Sequence, residues 1–271
     1  MKAKAVLFFM AVMLNIFPVA ALAEVSGPNL RFSTQGDQVT VSWDEVEGAY
    51  DYEIKYGPVD QEGFANEVPL TGVLEYTFTL TGAKVFKVAV IAYGDHGQLL
   101  AVSSLERVEL PDGDVLGYFF LELSAEYGTT TLPIGQAYSM AGVWVSIYNQ
   151  GVAGQYTLYG LGDATYSIYF SHPQGDCTYT MTTQGQFHVA GKMIPGSGKM
   201  DLTLREVYTG PLTADGACFG ISVPDAPYSG DWYQDVRVPL KKGVYDFGSS
   251  LHMQKYEVTI WETYLDGCPG C

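Results

Sequence analysis

After Leu80 and a glycine-containing turn, Phe86, Val88, Val90 and Ala92 recur at every second position up to Gly94. That period places them on one face of a half-buried strand. The same alternation predicts the neighbouring elements. Pro28-Asn29-Leu30 opens a short strand, and Gln35-Gly36-Asp37 turns it. Val39, Val41 and Trp43 alternate with Thr40 and Ser42, while Tyr52, Ile54 and Tyr56 alternate with Asp51, Glu53 and Lys55. Gly57-Pro58 ends that strand, and the chain from Val59 to Pro69 reads as a looser segment. Tyr76, Phe78 and Leu80 predict the next strand, Gly94-Asp95-His96-Gly97 a hairpin turn, and Leu99 to Leu110 the last strand region. About seven short strands before residue 111 is the count of a small sandwich.

Pro111-Asp112-Gly113-Asp114 is a polar hinge with the composition of a domain boundary. Beyond it the alternation resumes. Tyr118 to Leu123 is an apolar strand. Val143, Val145 and Ile147 alternate with Trp144, Ser146 and Tyr148, and Tyr166, Ile168 and Phe170 with Thr165, Ser167 and Tyr169. Gln184-Gly185 separates a strand beginning at Cys177 from one through Phe187, His188 and Val189. Met200, Leu202 and Leu204 mark another, followed by Phe219, Ile221 and Val223, by Val236, Val238 and Leu240, and by Tyr256, Val258 and Ile260. Pro239 lacks a backbone donor and belongs at an edge or a strand end. About eight or nine strands with Gly-rich turns and no helical period predict a larger antiparallel sandwich, barrel or jelly roll. The fold class is therefore all-β, with residues 24–110 as one module, 111–114 as linker and 115–271 as a second.

The first module carries a resemblance. Val39-Thr40-Val41-Ser42-Trp43, Tyr52-Glu53-Ile54, and Leu80 followed six residues later by Phe86 with Val88, Val90 and Ala92 resemble a fibronectin type III domain over residues 28 to 110. The resemblance implies a two-sheet sandwich with Trp43 in its core. The family usually has Tyr where this chain has Phe86, so the hydroxyl-to-backbone bond of that corner cannot form, a loss of about 1 kcal/mol. Such modules serve as spacers, adhesion units or scaffolds, and the fold does not choose among these.

Composition narrows the partners. Residues 1–23 read as a secretory signal: Lys2 and Lys4, an apolar run from Val6 to Val19, and Ala21-Leu22-Ala23 as the cleavage site. No later stretch has the length and apolarity of a membrane span. The whole chain holds 14 basic and 30 acidic residues. Without Lys2 and Lys4 the net charge falls from -16 to about -18, which disfavours nucleic acid and anionic membrane surfaces. Such acidity serves solubility in salt, and no cofactor is predicted; calcium is the one cofactor it would suit. Asp112 and Asp114 begin a calcium-loop spacing, but the further acids and the terminal Glu are missing.

Export permits disulfides. Cys177, Cys218, Cys268 and Cys271 allow three pairings, and we favour Cys177 with Cys218 and Cys268 with Cys271. Cys268-Pro269-Gly270-Cys271 has redox-motif spacing, but the chain given stops where the activating helix would start, so a disulfide staple or an attachment to another chain is the expectation. His96, His172, His188 and His252 show no metal-ligand spacing, and His188 falls on the face opposite Phe187 and Val189, toward solvent. No nucleophile elbow, phosphate loop or dinucleotide fingerprint is present.

The segment Pro227 to Asp235 joins Tyr228, Trp232 and Tyr233 to Asp231 and Asp235. Rings of this kind serve carbohydrate modules as platforms for sugar faces, with polar neighbours bonding the hydroxyls. Tyr228, Asp231, Trp232 and Tyr233 are the candidate ligand-binding residues. The competing reading tucks the rings under their own loop. Fifteen of the 20 tyrosines follow residue 111, as suits half-buried sheet faces. The sequence thus predicts an exported, non-enzymatic binding or adhesion protein, secreted or periplasmic, with a protein or carbohydrate ligand. A carbohydrate-binding protein using the Trp232 segment is the first rival. A hydrolase with an acid pair in the second module is the other.

Overall fold

The computed structural model describes residues 27–80, 84–128, 135–151, 156–171, 175–194, 196–248 and 253–265. The signal-like segment, His172, His252, Cys268 and Cys271 lie outside them. The described residues are almost entirely antiparallel β-structure, with one short 3-10 turn at Asp95–Gly97. No helix among them is long and apolar enough to cross a membrane.

The first module has eight strands: β1 (Leu30–Gln35), β2 (Gln38–Trp43), β3 (Asp51–Pro58), β4 (Asn66–Thr71), β5 (Glu75–Thr79), β6 (Val85–Tyr93), β7 (Leu99–Val102) and β8 (Glu106–Glu109). They form one sheet of order β1-β2-β5 and another of order β4-β3-β6-β7, with β8 also paired to β6. The alternating residues meet between the sheets. Val39, Val41, Ile54, Val88, Val90 and Ala92 are fully buried, and Leu80 and Phe86 nearly so. Trp43 is buried beside Tyr52, with ring centroids 5.7 Å apart. Its indole N–H has no partner, so packing area must outweigh a desolvation cost of about 1–3 kcal/mol.

Two segments differ from the sequence reading. The looser stretch before Pro69 contains β4, an edge strand with no fully buried residue and so no apolar stripe to reveal it. The last strand region is two strands. Ser103 interrupts it: its hydroxyl accepts a bond from the Val90 amide at 2.9 Å and donates one to the Ser104 carbonyl.

The second module contains β9 (Asp114–Gly128), β10 (Gly135–Asn149), β11 (Tyr156–Ser171), β12 (Cys177–Ile194), β13 (Lys199–Tyr208), β14 (Thr213–Cys218), β15 (Ile221–Ser222), β16 (Gly230–Pro239), β17 (Gly243–Asp246) and β18 (Met253–Leu265). All ten belong to one antiparallel sheet. Strands β9 to β13 follow one another up and down, and β18 returns to pair with the free side of β9. The long β12 is shared: its first part pairs with β14 and its second with β13, which carries β16.

This sheet rolls over on itself. Tyr127 on β9 and Trp232 on β16 are five strands apart in the pairing order, about 24 Å in a flat sheet. Their ring centroids are 5.6 Å apart. The inner face thus supplies both layers of a core that includes Phe119, Leu121, Val145, Leu158, Phe187, Met200, Leu204, Val238 and Ile260.

Gly185 does not break β12 as the sequence suggested. It lies within the strand because the Tyr208 ring crosses over it, and a Cβ there would come within 2.4 Å of that ring. Conversely, Phe219, Ile221 and Val223 do not form a half-buried strand. Phe219 has φ of 51°, and it and Ile221 are exposed at a turn around the two-residue β15. Pro239 stands at the last position of β16, where its missing N–H is tolerated. Cys177 and Cys218 face each other across β12 and β14 and are disulfide-bonded.

The modules meet along β1 and its turn, which lie on the outer face of β10 to β12. The Gly36 amide donates to Ser146 Oγ at 2.7 Å, the Tyr148 hydroxyl to the Gly36 carbonyl at 3.1 Å, and the Leu161 amide to Thr34 Oγ1 at 3.0 Å. Leu161 joins the core of the first module, and Tyr159 packs against it.

Candidate functional site

The segment singled out in the sequence is not one loop. Residues 230–239 are β16, so its side chains alternate between faces. Trp232 lies on the inward side of the strand with Val236 and Val238, while Asp231 and Tyr233 point outward. Asp231 is committed to Arg205 on β13, which donates from Nε at 2.8 Å and from Nη2 at 2.6 Å. That bidentate pair holds the Asp231 carboxyl below its ordinary pKa and the Arg205 guanidinium above its own. Tyr233 is 75 % exposed. The pleat therefore separates Tyr233 and Asp231 from Tyr228 and Trp232.

Tyr228 and Trp232 instead help to close one end of the rolled sheet. Tyr228 stacks on Tyr166 with centroids 5.3 Å apart and planes 8° from parallel, and Trp232 packs on Tyr127. Behind them lies Glu206, the one acidic residue among the fully buried described residues. Its carboxylate accepts bonds from Ser139 Oγ, from the Tyr208 hydroxyl at 2.8 Å, and from Tyr127. Burial raises the Glu206 pKa, and these hydroxyl donors oppose the rise. Burial likewise lifts the Tyr127, Tyr208 and Tyr256 phenols, with the Glu206 charge as the next cause in each, and it pushes Tyr166 up to about 12. Sequence reasoning missed this cage because its members come from six strands and the segment before β16.

A second aromatic group lies outside the sheet, beyond the footprint of the first module. Phe119 and Leu121 face the core, so Tyr118, Phe120 and Glu122 face outward on β9. Trp144 is the outward neighbour of Phe120 on β10. A bulge at Trp261 shifts the register of β18, after which Glu262 lies beside Phe120 and Tyr264 beside Tyr118. The bulge thus turns Tyr264 outward and leaves Trp261 as an extra ring. Centroids are 5.5 Å apart for Tyr118–Trp144, 5.0 Å for Tyr118–Tyr264, 5.2 Å for Phe120–Trp144 and 5.9 Å for Trp144–Tyr264.

Trp261 and Tyr264 are 45 % and 48 % exposed. The Trp261 indole donates to Glu122 at 3.1 Å, and the Tyr264 hydroxyl to Glu262 at 2.7 Å. These bonds fix the polar edges of the rings and leave ring area facing water. The sequence showed aromatic residues at these positions, but only strand pairing brings residues 118, 144 and 264 side by side.

Between the modules, a cleft of about 430 Å³ is lined from one side by Asn29, Arg31 and Asp44 and from the other by Gln184, Gln186 and His188. His188 does lie opposite Phe187 and Val189, but it is half-buried against this cleft. Among the described residues, no three His, Cys, Asp or Glu side chains are grouped to hold a metal ion. The chain matches no family model, no characterised protein and no solved structure.

Proposed function

We propose that this chain is an exported, non-enzymatic binding protein of the cell envelope or extracellular space, and that it holds an extended neutral glycan on the outer aromatic face of β10, β9 and β18. The observation that carries the reading is the contiguous patch of Tyr118, Phe120, Trp144 and Tyr264, edged by Trp261, Glu122 and Glu262. Such a surface offers flat apolar area to the C–H face of a sugar and fixed acceptors to its hydroxyls. It stands on paired strands, so little ordering entropy is lost on binding. The carboxylates and the acidic chain favour neutral over anionic polysaccharides.

Other features support the setting. The signal-like residues 1–23 and the Cys177–Cys218 bridge fit an oxidising compartment outside the cytosol. The first module's three-strand sheet against a second, larger sheet, with Trp43 in the core, supports the fibronectin type III reading. In that reading the module is a scaffold, fixed to the binding module by the Thr34, Gly36 and Tyr148 contacts.

Affinity electrophoresis through gels containing neutral or anionic polysaccharides tests the proposal, with and without calcium. The mature protein is expected to be retarded by at least one neutral polysaccharide, and Trp144→Ala with Trp261→Ala to migrate freely while keeping the wild-type circular dichroism spectrum. Trp232→Ala is expected to remain retarded. Free migration of the wild type in every gel would overturn the reading. Retardation lost only in Trp232→Ala would move the site to the closed end of the sheet.

A further inference from the structure

The cleft between the modules has the properties of a second site, apart from the aromatic face. Its volume of about 430 Å³ falls in the usual range for small-molecule pockets, which favour domain junctions. Its two walls are held by the inter-module bonds of Thr34, Gly36 and Tyr148, so the cavity is formed before any ligand arrives.

The lining is polar and close to uncharged. Arg31 is neutralised by Asp44 at 2.6 Å, and Asn29 donates to the same carboxylate at 3.0 Å. His188 is held below its ordinary pKa by burial and then by the Arg205 charge, so it is an uncharged imidazole at neutral pH. Glu106 adds a carboxylate at the edge. An anionic ligand would find no unpaired Lys or Arg among these lining residues.

One group is left unsatisfied. Gln186 lines this cleft, and its side-chain amide nitrogen, shielded from solvent, has no hydrogen-bond partner. A buried donor left unpaired is costly, and a turn of the side chain toward the cleft would let a ligand oxygen satisfy it. Around it, Thr209 and Gln184 add neutral hydroxyl and amide groups able to donate and accept. A partner that alternates donors and acceptors on a small uncharged frame matches this wall.

We propose that the inter-module cleft binds a neutral, hydroxyl-rich small molecule of one or two sugar rings, with a ligand oxygen accepting from the Gln186 side-chain amide. The site joins the modules, so its ligand would also strengthen their contact. Its failure and that of the aromatic face are separable, because the two sites share no residue.

Isothermal titration of the mature protein with neutral mono- and disaccharides and sorbitol tests the proposal, with glucuronate and glucosamine as charged controls. Saturable binding of a neutral compound is expected, weakened at least tenfold in Gln186→Leu and unchanged in Trp261→Ala. Thr209→Trp provides a second variant, since Thr209 is exposed at the cleft and a bulky ring there blocks entry without disturbing the core. It should abolish binding. The proposal is overturned if no neutral compound binds, if a charged control binds in preference, or if binding survives both Gln186→Leu and Thr209→Trp. Binding lost only in Trp261→Ala belongs to the aromatic face and also overturns it.

Discussion

Cys177→Ser with Cys218→Ser is expected to lower the stability of the second module by about 4 kcal/mol. The bridge joins residues separated by 41 positions, and it closes a loop containing the β12–β13 hairpin and the excursion into β14. In the chain-entropy account, a loop of that length constrains the unfolded chain by about this amount. The folded state adds a second reason. Among the described residues, strand β14 pairs with the first part of β12 and the two-residue β15, and its residues are exposed or half-buried. Without the bridge it has little apolar burial to keep it in place. A loss of this size is a large fraction of the stability of an ordinary domain. Urea unfolding followed by tyrosine and tryptophan fluorescence reads it directly. An unchanged midpoint in the double variant would show that the pairing contributes nothing.

Glu206→Ala is expected to cost about 3–4 kcal/mol. The substitution opens a cavity inside the rolled sheet and leaves the Ser139, Tyr208 and Tyr127 hydroxyls without their acceptor, each worth about 1 kcal/mol or more when buried. Glu206→Gln keeps the shape and an acceptor, so it separates the charge from the packing. Burial raises the folded-state pKa of Glu206 above its unfolded value, so the native state keeps its proton longer. The contribution is fully present below the unfolded pKa of about 4.3. It is lost as pH rises through the folded value. The wild type should therefore lose stability over that interval relative to Glu206→Gln, which lacks the titration. Parallel pH profiles for the two proteins would contradict the buried-carboxylate account.

Much of the strand content was legible because burial on one face leaves a period of two. Val39, Val41 and Trp43, or Met200, Leu202 and Leu204, announce their strands in this way, and the structure buries all six. Where that cause is absent, the sequence is silent or misleading. Strand β4 buries no residue fully and contains Pro69, so it carried no stripe. Gly185 looked like a turn because glycine usually serves one, whereas here it makes room for the Tyr208 ring. Phe219 and Ile221 had the spacing of a strand but stand exposed at a turn.

The candidate sites were harder to read, for a related reason. Trp232 and Tyr233 are adjacent in sequence, which suggested one platform, yet adjacency within a strand puts them on opposite faces. Tyr118, Trp144 and Tyr264 are far apart in sequence and become neighbours only through the β10-β9-β18 pairing and the bulge at Trp261. The inter-module cleft depends on how the β1 turn settles on β10 and β11. No local pattern encodes that arrangement.

The central claim is that the ligand lies on the outer aromatic face. Hydroxyl-radical footprinting read by mass spectrometry, with and without a polysaccharide that retards the protein, tests it most directly. The account predicts that Trp144, Trp261 and Tyr264 become protected from oxidation while Trp232 and Tyr233 react as before. Protection confined to Trp232 and Tyr233, or unchanged reactivity of Trp144, Trp261 and Tyr264 in the bound protein, would contradict it.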